Sequence, residues 1–438
     1  MQIRNVRIRG KQKQGLFKVD IENGIFGKIL PEETPQEEDK EQTPYFLGSR
    51  QDTLPDFTDG SEKIYDAKGR MMMPPFVEPH IHLDCVMTAG IPHYNMSGTL
   101  FEGITTWDEY KNSQPLTVEG IKERAKAALR CMAGYGVQFV RTHVDTTETS
   151  FKGVEALLEL REEMKDTMEI QTVAFPQNGI CSFRHGKEYM ERAMQMGMDC
   201  VGGIPHYEFS RELGVESIRF IFDLAEKYDA MIDVHCDEID DGVTRYLEEM
   251  AAQAWMREMG SRTVAAHTCA TGSYNDAYFA KLLRALKESG INFNSCPTAS
   301  TSLDGRFDNY PKRRGITRIR QLTQAGLNVA LGQDSISDPW YMPGVGNLLR
   351  VLEMGMHVEH MTGYEDLSHC LDFISTKGAK NLCIEDHYGI EEGKPASFII
   401  LDGRDDYEVF RFQSAVTLSV HQGKVIAKRR PSFGKVMF

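Results

Sequence analysis

Between residues 71 and 335 two hydrophobic rhythms alternate along the chain. Eight short apolar runs read as buried strands: MMMPPFVEPHIH (71–82), VQFVRTHVD (137–145), IQTVAFPQ (170–177), CVGGIPHYE (200–208), MIDVHCDE (231–238), RTVAAHTC (262–269), INFNSCPT (291–298) and NVALGQDS (328–335). Between them, segments such as VEGIKERAKAALRCMAGYG and YFAKLLRALKESG carry apolar residues at i, i+3 and i+4 and close on glycine, as helices do. Eight strands alternating with helices predict an α/β fold, a (β/α)8 TIM-like barrel. A doubly wound open sheet shares the alternation. Neither GxGxxG nor GxxxxGKS/T stands at a strand-to-helix turn, however, so its nucleotide-binding versions lack their usual support. No short repeat of the solenoid kind is present.

The two ends follow a different rhythm. IRNVRIRG and LFKVDIENGIFGKIL alternate apolar and polar positions, the period of half-buried antiparallel strands, and the pattern returns in ASFIILDG and SAVTLSVHQGKVIAK. Pairing of the two ends predicts a small discontinuous β-sandwich: residues 1–70 and 391–438 would flank a barrel of residues 71–390. The Pro-rich, charged PEETPQEEDKEQTP, an acidic insertion near 31–45, reads as an exposed loop.

Composition narrows the partners. A chain of 438 residues, 41% of them hydrophobic, suffices for one large barrel with an accessory element or for two ordinary domains. With 50 Lys plus Arg against 64 Asp plus Glu, the net charge of −14 argues against nucleic acid or an anionic membrane as partner and suits a small neutral or cationic ligand. The N-terminus lacks a secretory apolar core and no stretch reaches 18 apolar residues, so a soluble, cytoplasmic protein is expected. Nine scattered cysteines without a CxxC pair fit reduced thiols.

Nearly every predicted strand finishes in a side chain capable of metal or proton chemistry: His80 and His82, His143 and Asp145, Gln177, His206 and Glu208, His235 and Glu238, His267, and Asp334. Barrel active sites lie at the carboxyl ends of the strands, so these groups would converge on one mouth. His80 and His82 share a strand face and can reach one ion about 2 Å from each ring nitrogen. His235 would be a third nitrogen ligand, leaving Glu238 above it free to trade a proton with substrate. Asp334 fits a carboxylate ligand that also takes a proton, because a divalent ion lowers the pKa of its water towards about 7. His267 is either a further ligand or a neutral donor beside the site. Gln177 cannot bridge two cations, which favours a single metal, and its amide matches a ring N–H beside a C=O. Asp84 could orient a ligand or cap the next helix. Asp240 and Asp241 read as helix-start residues, His143, Asp145, His206 and Glu208 as buried structural groups, and AMQMGM as packing.

These residues resemble a known family. EPHIHLD, THVD, FPQ, IPHYEF, DVHCDEIDD, AAHT, GRFDNYPKRRGI and DPWY are similar to the bacterial cytosine deaminases of the amidohydrolase superfamily, from about residue 70 to 390. The resemblance implies one divalent metal, iron or zinc, held by His80, His82, His235 and Asp334, with Glu238 and His267 as the proton-transfer pair. It further implies that Gln177 reads the base, that the Leu100 carbonyl faces the ring, that Trp340 lies near the bound base, and that the protein is a homo-oligomer. The implied chemistry is hydrolytic attack at an amidine carbon, C4 in cytosine, with loss of ammonia.

One departure concerns the substrate. Cytosine-selective members typically carry two consecutive acids where this chain reads Gln333-Asp334-Ser335. The smaller, neutral Ser335 should leave room for a substituent on the base, which points to 5-methylcytosine or a non-pyrimidine cyclic amidine such as creatinine. CPTASTSL also departs from the family's wording. The alternatives are a creatinine or isoguanine deaminase, a cyclic-amide hydrolase of the dihydropyrimidinase kind, and a non-catalytic barrel. The zinc deaminases that edit nucleic acids carry an H-x-E with P-C-x-x-C signature that is absent here.

Overall fold

Two prolines, Pro74 and Pro75, divide the first predicted strand into pieces that serve different sheets. Met71–Met73 pairs with the terminal sheet, whereas Phe76–Ile81 opens the barrel. Pro lacks the N–H that a continuous ladder needs, so the run 71–82 cannot be one strand. The computed structural model describes residues 1–32, 55–58, 63–113 and 116–430. Most of the acidic stretch near 31–45 lies outside them.

Eight parallel strands follow one another around the barrel: Phe76–Ile81, Val137–Asp145, Glu169–Phe175, Cys200–Gly203, Met231–Cys236, Thr263–His267, Asn292–Ser295 and Val329–Leu331. Several are shorter than their apolar runs. His206 and Glu208 fall in the turn after Cys200–Gly203, and Pro297 starts a helix, Pro297–Leu303, where strand was expected. Proline at the first helical position lacks only an N–H that would be unpaired anyway.

The predicted helices form as read. Thr117 caps Val118–Gly134 by accepting from the Gly120 N–H, and Asn275 caps Asp276–Ser289, which closes on Gly290 at φ 67°. Of the methionines in AMQMGM, Met194 and Met198 are buried packing residues, whereas Met196 is exposed.

The barrel closes at the place where the chemistry was expected. Ile81 bridges Asp334 in parallel; the Asp334 N–H donates to the His80 carbonyl at 2.9 Å and the His82 N–H to the Asp334 carbonyl at 3.2 Å. Just below, the buried Glu78 carboxylate accepts the N–H groups of His80 and Gln333, stapling the first and last strands together. A Cβ at position 332 would lie 2.7 Å from Glu78 Oε1, so Gly332 is required there.

Both ends of the chain meet in one mixed sheet. Its order runs Lys424–Lys428, Val416–His421, Phe398–Leu401, Met71–Met73, Gln2–Ile8, Leu16–Glu22, Ile25–Glu32, and Ile64–Asp66 pairs parallel to Gln2–Ile8. Ile3, Val6, Phe17, Phe26, Phe398 and Leu418 form its core. Among the described residues no helix is long and apolar enough to cross a membrane.

Candidate active site

The carboxyl ends of the strands bring four imidazoles to one point. His80 Nε2 lies 3.2 Å from the Nε2 atoms of both His235 and His267, and His82 Nε2 lies 3.0 Å from that of His235. An Asp334 carboxylate oxygen is 3.7 Å from His80 Nε2 and 3.6 Å from His82 Nε2. Two ligands about 2.0–2.1 Å from a shared ion at a tetrahedral angle stand roughly 3.3 Å apart. One such contact between neutral rings can be an N–H···N hydrogen bond, but His80 Nε2 faces two other Nε2 atoms and a carboxylate oxygen at once, a donor set that a single cation satisfies together. The donor set therefore fits a metal, and such groups of His, Cys and Asp recur around the same point.

Electrostatics favours the ligand form of the four imidazoles, whereas burial and the Asp338 carboxylate push the Asp334 carboxyl up, a cost that a bound cation would offset. Burial, reinforced by neighbouring rings, holds the His80, His82, His235 and His267 imidazoles well below their ordinary pKa, so they are neutral and able to offer a lone pair. Burial and the facing Asp334 carboxylate push Glu238 up, toward the protonated form a proton donor needs. His267 presents Nε2 to the shared point and Nδ1 to Glu238 Oε1 at 3.5 Å. Its backbone, at φ 62°, and that of Asp334, at φ 68°, are left-handed, a costly conformation for such residues that concentrates at functional sites.

A pocket opens beside this point, lined by His82, His235, Glu238 and Asp334 together with Leu100, Gln177, Ser335 and Trp340. Trp340 lies over His82, with ring centroids 6.4 Å apart, and Gly103 lets the helix Leu100–Ser113 approach the indole, where a Cβ would come within 2.7 Å. Ser335 is buried and presents a small neutral side chain to the pocket lining. A wider vestibule outside, lined by Phe101, Asp240, Asp304 and Phe307, shares Leu100, Glu238 and Leu303 with it.

Other acids have structural partners. Asp84 accepts the Asp145 N–H rather than capping a helix, and burial pushes its carboxyl up to about 7. Asp145 accepts Trp107 Nε1 and Lys111 Nζ, tying the helix over the mouth to the second strand. Glu208 accepts the N–H groups of Ile180, Cys181 and Ser182. Asp240 and Asp241 do not start the helix Tyr246–Met256. They accept from Gly305 and Val243, while Asp237 accepts the N–H groups of Tyr246 and Leu247. Sequence reasoning missed Glu78, Asp233 and Phe175, the last stacked on His235 with centroids 4.1 Å apart. For Asp233 a signal existed, its i, i+2 spacing from His235 on one strand.

The profile of the amidohydrolase family matches residues 95–427. The chain belongs to the amidohydrolase family. Over 100% of this amidohydrolase and 99% of the other chain, it is 48% identical to 5-methylcytosine deaminase from Klebsiella pneumoniae, solved with 5-fluorocytosine, at a TM-score of 0.91. It is 28% identical to N-isopropylammelide isopropyl amidohydrolase of Pseudomonas sp. strain ADP, over 83% of its own length and 87% of that protein. Pterin deaminase of Rhizobium rhizogenes is 24% identical over 98% of this chain and 92% of the relative. The amidohydrolase is a metal-dependent deaminase, a hydrolase of carbon–nitrogen bonds acting on a small molecule.

Proposed function

We propose that this deaminase releases ammonia from cytosine-type amidines and prefers 5-methylcytosine to cytosine. The carrying observation is Ser335, a small, neutral, buried residue that lines the pocket beside Glu238 and Asp334, where a larger acid would take up the room a methyl group needs. The whole-length likeness to 5-methylcytosine deaminase supports the same reading.

His80, His82, His235 and Asp334 would hold one divalent ion, zinc or iron. When bound, the ion supplies Lewis acidity that brings water to a reactive protonation state near neutral pH. Gln177 holds the base through its ring N–H and C=O, the Leu100 carbonyl faces the ring, and Trp340 covers it. Asp334 and His267 accept the proton of the attacking water and hand it to the departing amine. Glu238 donates to the ring nitrogen beside the carbon under attack. Water adds across the ring C4=N3 bond, oxygen to C4 and a proton to N3; the exocyclic C4–N bond then breaks, and ammonia leaves with the transferred proton.

The test is ammonia release by the metal-loaded protein on cytosine, 5-methylcytosine, isoguanine and creatinine, side by side. The largest kcat/KM is expected on 5-methylcytosine. Equal or better activity on cytosine would overturn the Ser335 argument, and ring opening of a cyclic amide without ammonia would replace deamination altogether.

A further inference from the structure

Beneath the four imidazoles lies a second polar layer that the chemistry above does not use. Residues two apart on a strand share a face, so Arg141 lies under His143 on Val137–Asp145, and Asp233 lies under His235 on Met231–Cys236. Both are completely buried. Arg141 Nη1 donates to Asp233 Oδ2 at 3.0 Å, while its Nε and Nη2 donate to Gln171 Oε1. The other carboxylate oxygen, Asp233 Oδ1, turns upward: His143 Nε2 is 3.4 Å from it and His80 Nδ1 is 3.9 Å. None of these three atoms has a hydrogen-bond partner, and all are shut off from solvent.

Stability does not account for this arrangement. Barrel interiors are normally filled by branched aliphatic side chains, and a buried ion pair seldom outperforms an apolar replacement of the same volume. An ion at the convergence point does account for it. To offer a lone pair from Nε2, His80 must carry its proton on Nδ1, and that N–H needs an acceptor. Asp233 Oδ1 is the carboxylate oxygen facing it, and a small turn of the side chain closes the contact. The His143 ring, with its centroid 4.0 Å from that of His80, reaches the same oxygen and wedges His80 in place.

On the ligand assignment made above, we propose that Asp233 is a positioning residue for the metal pocket. Paired with Arg141, it accepts from His80 Nδ1 and His143 Nε2, fixes the His80 tautomer, and sets an acceptor beneath the cation.

The test is zinc affinity, by competition with a chromophoric chelator, for wild type, Asp233→Asn, Arg141→Met and the double variant Arg141→Met/Asp233→Asn. Cobalt-substituted spectra give a second readout. Asp233→Asn is expected to bind zinc about 10–100-fold more weakly, with a shifted cobalt spectrum. The double variant should stay weak, because removing the guanidinium restores no acceptor for His80. It buries no unpaired charge, so it carries the test if the single variant fails to fold. Wild-type zinc affinity in the double variant would overturn the proposal by showing that Asp233 only neutralises Arg141. Failure of the wild type itself to bind zinc would instead overturn the ligand assignment.

Discussion

At the seam between the barrel and the terminal sheet, the buried polar groups are mostly matched to one another, with His421 Nε2 an exception. Gln138 donates to the Phe398 and Val420 carbonyls and to the Ser419 hydroxyl, and its own oxygen meets His421 Nδ1. Arg9 reaches Asp406 and Asp372 together. At the mouth, nitrogens of His80, His143, His235 and His267 and an oxygen of Asp233 are buried just as deeply with no partner. A protein leaves buried polar atoms unmet at a cost of about 1–3 kcal/mol each, so their concentration marks where something other than stability has shaped the chain. The seam holds the molecule together, and the mouth is where the proposed chemistry is placed.

The sharpest way to test this contrast is to disable each region and look for damage in the other. Glu238→Gln should lower kcat by about 10²–10⁴-fold while leaving the urea midpoint at or above the wild-type value, because a raised-pKa buried acid is replaced by a neutral amide. A falling midpoint would mean that Glu238 is structural. In the seam, Arg9→Met strands two carboxylates and should cost about 2–3 kcal/mol in urea unfolding, below the roughly 3–5 of a fully buried pair because Asp372 is 34% exposed. Its kcat should not change. Ser335→Asp should swing the ratio of kcat/KM for 5-methylcytosine over cytosine toward cytosine by about 10–200-fold, the scale of one methyl group in a pocket.

The smallest effect is a pH dependence confined to the seam. Burial pushes the His421 imidazole down to about 4, against roughly 6.5 in the unfolded chain. Below 6.5 the unfolded chain gains a proton that the folded one refuses, so this residue's contribution to stability is lost as the pH falls from 6.5 towards 4. His421→Gln should therefore melt below wild type at pH 7.5, by about 1 kcal/mol for the lost hydrogen bond, and at or above it by pH 5, where the unfolded wild type has taken up its proton. Parallel melting curves across the range would refute the burial argument.

Much of the barrel was legible because short apolar runs punctuated by glycine leave few readings, and because the ligand candidates sit at strand ends where the fold collects them. The layer beneath was not. Every residue of Val137–Asp145 is buried, so no alternation distinguishes the inward face that carries Arg141 and His143 from the outward one. The left-handed backbone at His267 and Asp334 was equally hidden, since neither residue is a glycine and only the packed site imposes the conformation. Met71–Met73 was misassigned because its hydrophobicity matches that of the strand it abuts, although Pro74 and Pro75 were in plain view.

The staple between Glu78 and Gln333 has a consequence in time. The two residues are 255 positions apart, and a ribosome adding about 5–20 residues per second separates their emergence by roughly 13–51 s. For that interval His80 and His82 exist without the carboxylate and the closed wall that complete their surroundings. The wall around the histidine pair is therefore complete only once the last strand has been made.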